Sequence, residues 1–254
     1  MWHITDPMIR RTRWLAILCL LGFLCPSPAD AGRFGEAFGA AVRDPHSWVS
    51  AAGALLIGTS GFDDDISRWA VRKKPVFGSR ESALRASDNG RTAARFGMLL
   101  TTAIYGTVVS LPETALQAVR QGAITSTTSG FTQILKDEVG RTRPDGSNKS
   151  SFPSGHANSA FSYAALGREN LEVLRLPAGA RIPLATGLDL LAAGTAWSRV
   201  EAGKHYPSDV MAGAAVGNFL SVFLNRALRS RRETAQFDLQ VQPGAIGLGM
   251  RWRR

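Results

Sequence analysis

The sequence predicts an all-α fold, a helical bundle of about six core helices with a short C-terminal β-hairpin-like tail. Three observations predict it. Apolar stretches of helical length recur along the chain, and stop–start signals such as Leu111-Pro112-Glu113 separate them. No stretch before residue 236 alternates apolar and polar residues as a half-buried strand would. The 254 residues are 44% hydrophobic and 20% charged, enough apolar material for one domain and too much for a disordered chain.

The first segment, residues 1–31, reads as an export signal. Arg10, Arg11 and Arg13 precede the apolar run Trp14–Cys25, which Pro26, Ser27 and Pro28 break before Ala29-Asp30-Ala31. A basic stretch, a short apolar core and an A-x-A site form a secretory signal, expected to be cleaved after Ala31. The run is shorter than the ~20 residues that span a bilayer. The expected location is the bacterial periplasm or cell envelope, soluble or membrane-associated. Cys19 and Cys25 are the only cysteines, and both fall in this segment. The processed chain would therefore have no disulfide, thiol nucleophile or thiolate metal site.

Residues 32–235 form the expected helical domain. Ser47–Gly61 and Ala93–Ser110 are apolar, with small residues. Leu111 to Glu138 is a third helix, with Pro112 in its first turn and Gly140 as its stop. A polar loop, Arg141–Phe152, follows. Further helices run from about Ser154 to Gly167, from Ile182 to Trp197, and from Tyr206-Pro207 to about Ser230. Asp63-Asp64-Asp65 reads as a solvated helix start, where carboxylates complement the dipole. Residues 236–254 form the tail, two strands around Pro243-Gly244. Phe96–Pro112 and Val210–Asn225 lack charged residues but sit at the lower limit of a membrane span. Apolar helices of this length also form the centre of a bundle.

The formal net charge of +10 excludes an acidic solvating chain. Much of it sits in two blocks. Arg68–Arg95 holds eight basic and two acidic residues, and Arg226–Arg254 holds seven and two. Such blocks attract an anionic membrane surface. No nucleic-acid recognition motif accompanies them, so nucleic acid is not an expected partner.

Three blocks carry chemistry. Lys136 and Arg143-Pro144 place a point charge near a helix end and a planar fork in the following loop, both suited to phosphate oxygens. In Pro153-Ser154-Gly155-His156, Ser154 can cap a helix whose free N–H groups attract an anion, Gly155 permits close approach, and His156 stands on the first turn. In Ser198-Arg199 with His205 and Asp209, the last two are four residues apart across a helix start. That spacing lets the carboxylate meet the imidazole on one face, fixing its tautomer. Each block alone has an ordinary structural explanation. Their joint occurrence, at about 5% per residue type, has a chance frequency below roughly one in a million.

The blocks resemble the three-part signature of the type 2 phosphatidic acid phosphatase superfamily, KxxxxxxRP, PSGH and SRxxxxxHxxxD, and match it at every fixed position between Lys136 and Asp209. The superfamily includes bacterial acid phosphatases, lipid phosphate phosphatases and vanadium-dependent haloperoxidases. The resemblance implies a metal-independent phosphoric ester hydrolase. His205 would be the nucleophile, Asp209 its orienting partner and His156 the general acid. Lys136, Arg143, Ser154, Gly155 and Arg199 would hold the phosphoryl group. No cofactor is implied, and vanadate would inhibit by filling the phosphate site. The expected substrate is a phosphomonoester, or a phospholipid or isoprenoid-type lipid phosphate or diphosphate. Two alternatives are a vanadium-dependent haloperoxidase and a non-enzymatic envelope protein that binds anionic lipid.

Overall fold

In the computed structural model, residues 28–174, 176–229, 235–242 and 245–252 are described. Eight helices follow in order: α1 Pro28–Arg43, α2 Pro45–Ser60, α3 Phe62–Lys73, α4 Arg80–Tyr105, α5 Leu111–Val139, α6 Gly155–Val173, α7 Ala178–Glu201 and α8 Pro207–Leu228. Two strands close the chain, β1 Ala235–Gln242 and β2 Ala245–Trp252. They pair antiparallel, with Leu239 opposite Leu248. The all-α expectation holds.

The local chemistry explains most boundaries. Asp44 caps α2 by accepting the His46 N–H at 2.8 Å, with Pro45 in the first turn. Ser110 and Glu113 form a reciprocal capping box at the start of α5, and Gly140, at φ 60°, stops it in the left-handed region. The sequence reading missed α1 and placed only the start of α3, at Asp63-Asp64-Asp65. It also began α4 thirteen residues late, because its first half is polar. Ser79 caps that half by accepting the Ser82 N–H, so the helix starts at residue 80. Most of the expected export segment lies outside the described residues. Its last four, 28–31, form the first turn of α1.

Helices α6 and α8 form the centre. Helix α8 packs on α6, α2, α1 and α5, while α6 also meets α4 and α7. The crossing is close because small residues line it. A Cβ on Gly213 would collide with the Ser154 carbonyl, and one on Gly217 with the Asn158 carbonyl. One apolar cluster, Ala94, Ala160, Ala164, Leu171, Leu188 and Ala192, joins α4, α6 and α7. A second, Ala70, Ala157, Ala196, Val200 and Val210, joins α3, α6, α7 and α8 beside the helix ends that carry the signature. Among the described helices, α8 alone is long and apolar enough to cross a membrane, and most of its apolar window is buried in the bundle.

Candidate active site

The signature residues meet at one end of the bundle because they stand at helix termini. Lys136 lies in the last turn of α5, Ser154 caps α6, Arg199 is in the last turn of α7, and Asp209 is in the first turn of α8. Arg143 and His205 occupy the two loops between these ends. Asp145 clamps the loops together: its N–H donates to the Gly203 carbonyl at 3.0 Å, and its carboxylate accepts from Lys204 at 2.7 Å and Arg80 at 2.6 Å. The buried Glu201 fixes the neighbouring α3–α4 loop by accepting the Val76 and Phe77 N–H groups.

His205 is 2% exposed. Its Nδ1 lies 2.6 Å from the Ser151 carbonyl oxygen, which can only accept. Nδ1 therefore carries the proton, and Nε2 keeps its lone pair. This differs from the sequence expectation that Asp209 bonds the ring directly. The Asp209 carboxylate stands 3.9 Å from Nδ1, an ion-pairing but not a hydrogen-bonding distance. Its oxygens are taken by Ser151 Oγ at 2.5 Å, the Tyr206 N–H at 2.8 Å and Arg141 Nη1 at 2.8 Å. An i, i+4 spacing brings two side chains near each other. Here, nearer backbone and loop partners decide the bonds.

Three cations surround this imidazole. Burial, then the charges of Lys136 and Arg199, hold His205 well below its usual pKa, with Arg143 adding to the effect. Lys136 is itself pushed down to about 8, chiefly by burial and then by Arg143. Its ammonium donates to the carbonyls of Ser150 at 2.9 Å and Pro153 at 2.6 Å, leaving one of three N–H donors for a ligand. Arg199 is 7% exposed and donates to Ser87 Oγ at 3.1 Å. The Nε groups of Arg143 and Arg199 are both buried without a hydrogen-bond partner. Unsatisfied buried donors are rare and costly. Mutually repelling cations with donors to spare are chemically suited to an anion.

Ser154 and Gly155 complete the cradle. Ser154 Oγ caps α6 by accepting the Ala157 N–H, and the Ser154 N–H donates to the Asp209 carbonyl at 2.9 Å. A Cβ at Gly155 would lie 3.7 Å from Lys136 Cε, so the lysine stem passes beside this turn. His156 follows on the first turn, with Nε2 at 2.9 Å from Asp88 Oδ1. Burial, then the Arg199 charge, push His156 down to about 4 despite that bond. Asp88 is held low, first by its bond with His156. Both directions describe a neutral imidazole donating Nε2–H to a carboxylate near pH 7.

Two carboxylates of the site escaped the sequence reading, Asp88 on α4 and Asp63 on α3. Neither lies in a motif, and both reach the site only through packing. The Asp63-Asp64-Asp65 run does open a helix, but Asp63 is not solvated. It is 4% exposed and bonded to Ser208 and Arg141. The helix start turns one of three adjacent carboxylates inward and leaves the other two in solvent.

Residues 117–233 match the family model of the PAP2 superfamily. The lipid A 1-phosphatase of Porphyromonas gingivalis is 38% identical over 89 residues, which cover 35% of this chain and 18% of that protein. The chain thus aligns with less than a fifth of that relative's length. The crystal structure of a transmembrane PAP2-type phosphatidylglycerolphosphate phosphatase from Bacillus subtilis superposes with a TM-score of 0.54 at 22% identity, covering 70% of this chain and 90% of that one. At that identity the likeness is one of fold. The intact signature lies wholly within the matched span, so it is residues 117–233 that are similar to the PAP2 superfamily, the type 2 phosphatidic acid phosphatases and their kin.

Proposed function

We propose that this protein is a phosphatase that hydrolyses a lipid phosphate through a phosphohistidine, without a metal. The observation that carries the reading is the buried His205, with its Nε2 lone pair free, among Lys136, Arg143 and Arg199, two of whose guanidinium Nε donors have no partner. Phosphoryl transfer is catalysed mainly by positioning and charge stabilisation, which such a cluster supplies.

In the first step His205 Nε2 attacks phosphorus while Lys136, Arg143, Arg199 and the Ser154-Gly155 turn hold the phosphoryl oxygens. The bond from phosphorus to the leaving oxygen breaks, and His156, which takes up a second ring proton when the phosphate dianion binds, gives that oxygen its Nε2 proton and becomes neutral. In the free protein Asp88 accepts this proton's hydrogen bond. The leaving oxygen takes its place in the complex. The positive charge that forms on the His205 ring is stabilised by Asp209, 3.9 Å from Nδ1. In the second step His156 takes a proton from water. The water oxygen attacks phosphorus, the P–N bond breaks, and His205 returns to its neutral form with inorganic phosphate released.

A lipid leaving group is favoured by the surroundings. A groove of about 410 Å³ runs between α4 and α5, lined by Arg95, Met98, Leu99, Gly122 and Tyr163 among others. Arg95 lies seven residues along α4 from Asp88, about 10 Å at helical rise. Phe96, Leu100 and Val119, on the same two helices, are exposed. An apolar substituent can therefore lie along the bundle while its phosphate meets His205, and these faces suit a membrane-associated protein.

The test is phosphate release from a long-chain lipid phosphate in micelles and from a water-soluble chromogenic monoester, both with chelator present. The wild type should turn over the lipid phosphate more efficiently. Vanadate should inhibit, and acid-labile phosphate should be trapped on the protein. His205→Ala should lower the rate by at least 1,000-fold, on the order of the loss of a nucleophile. A wild-type rate in His205→Ala would overturn the assignment.

A further inference from the structure

Asp63 opens α3, outside the signature and outside residues 117–233. Its Oδ1 accepts the Ser208 N–H at 2.8 Å, and its Oδ2 accepts Ser208 Oγ–H at 2.5 Å and Arg141 Nη2 at 2.7 Å. The Arg141 guanidinium lies 3.9 Å above the Tyr206 ring. Its other arm donates to Asp209 Oδ1 at 2.8 Å and Ser208 Oγ at 2.9 Å. The Arg141 carbonyl also accepts the Ser151 N–H at 2.9 Å, while Ser151 Oγ donates to Asp209. Ser151 is thus held at both its N–H and its hydroxyl, and its carbonyl is the partner of His205 Nδ1.

We propose that Asp63 and Arg141 are positioning residues for His205: acting through Asp209 and Ser151, they keep the Nδ1 proton on the Ser151 carbonyl and the Nε2 lone pair turned to the phosphate site. The proposal rests on the phosphatase reading for its kinetic consequence but not for its structural one. The reasoning follows from burial. Asp209 is fully buried and Asp63 nearly so. Arg141 forms a planar fork with one carboxylate on each arm, a geometry that lysine cannot reproduce. Removing the Asp63 charge leaves Arg141 anchored on one side, and Ser208 must find new acceptors. Asp209 and the Ser151 carbonyl then lose their fixed position, and the imidazole can exchange tautomers. The three phosphate-holding cations are untouched by this change.

The experiment compares wild type with Asp63→Asn and Arg141→Lys. Expected is a fall in kcat of about 10- to 100-fold, the cost of misplacing a reacting group by about an ångström, with KM within about threefold. The second readout does not depend on turnover. In ¹⁵N-histidine-labelled protein, the His205 ring nitrogens should report a single Nδ1–H tautomer in wild type and a mixture in both variants. An unchanged tautomer population in a folded variant, or an unchanged kcat, overturns the proposal. So does a fall in kcat that tracks melting temperature alone. If Asp63→Asn does not fold, Arg141→Lys makes the same cut from the other side and is decided by the same two readouts. A wild type that releases no phosphate from any ester would sink the phosphatase reading, while the tautomer comparison would still decide the role of Asp63.

Discussion

The crossing of α6 over α8 sets the distance between the PSGH turn and the helix that carries Asp209, and a single methyl group can test it. In Gly217→Ala the added Cβ would stand 3.0 Å from the Asn158 carbonyl carbon and 3.1 Å from its Cα, and closer still to its oxygen. All three neighbours are backbone, so no side chain can rotate away. Carbon atoms pack at about 3.5–4.0 Å, so the helices must separate by up to an ångström. Overpacking of this kind costs about 1–3 kcal/mol, against which alanine returns about 0.8–1 kcal/mol of helix propensity. We expect a net loss of about 1 kcal/mol. Gly194, within α7, has nothing within 4 Å of its would-be Cβ, so Gly194→Ala should gain about 0.8–1 kcal/mol from propensity alone. At about 2–4 °C per kcal/mol for a domain of this size, the two variants should melt about 4–8 °C apart. Gly213→Ala adds an activity readout. Its Cβ would strike the Ser154 carbonyl and lie 3.2 Å from the Asn158 N. The displaced turn carries His156, so kcat should fall about 10- to 100-fold, well beyond the change in Gly217→Ala. Differential scanning fluorimetry and initial rates measure both. Equal melting temperatures for Gly217→Ala and Gly194→Ala would refute the close-crossing argument.

Two further predictions concern titrating groups. The hydrogen bonds of His46 to Asp189 at 3.1 Å and Asp44 at 3.0 Å raise it to about 9. A raised folded value means stability fully present below about pH 6.5 and lost as pH rises through about 9. With the ring 35% exposed, solvent screening reduces the gain to about 1–2 kcal/mol, so His46→Gln should flatten the fall in melting temperature between those pH values. At the site, the Asp88 carboxylate favours protonated His156, the form that donates to the leaving oxygen. Asp88→Asn should therefore lower the His156 pKa and move the alkaline limb of kcat/KM to lower pH. An unmoved limb would remove Asp88 from the acid's environment.

Helix ends with chemical punctuation were legible. Pro112, Gly140 and Ser154 each act through contacts within a few residues, so local sequence suffices. The polar first half of α4 was not, because its cap, Ser79, is remote from the apolar stretch that draws attention. Of helix α3 only the start was legible, for a related reason: it is short, and much of its surface is charged. At the site, eight residues could be named because the resemblance fixes them in order along the chain. Their bonding could not. Asp209 looked like the partner of His205 by spacing, yet the Ser151 carbonyl holds Nδ1 because the loop brings it to 2.6 Å while the carboxylate is drawn to Arg141, Ser151 and Tyr206.

By itself, the sequence determined the helical class, the placement of three cations and two histidines at helix ends and loops, and the family whose signature they resemble. These follow from local periodicity, capping and residue order. The tertiary structure decided which atom holds which. It buried Asp63 beside Arg141, set Asp88 against His156, and fixed the proton on Nδ1 of His205. Those choices depend on distances between segments up to 145 residues apart, and hydrogen bonds discriminate at tenths of an ångström that no spacing along a chain can encode.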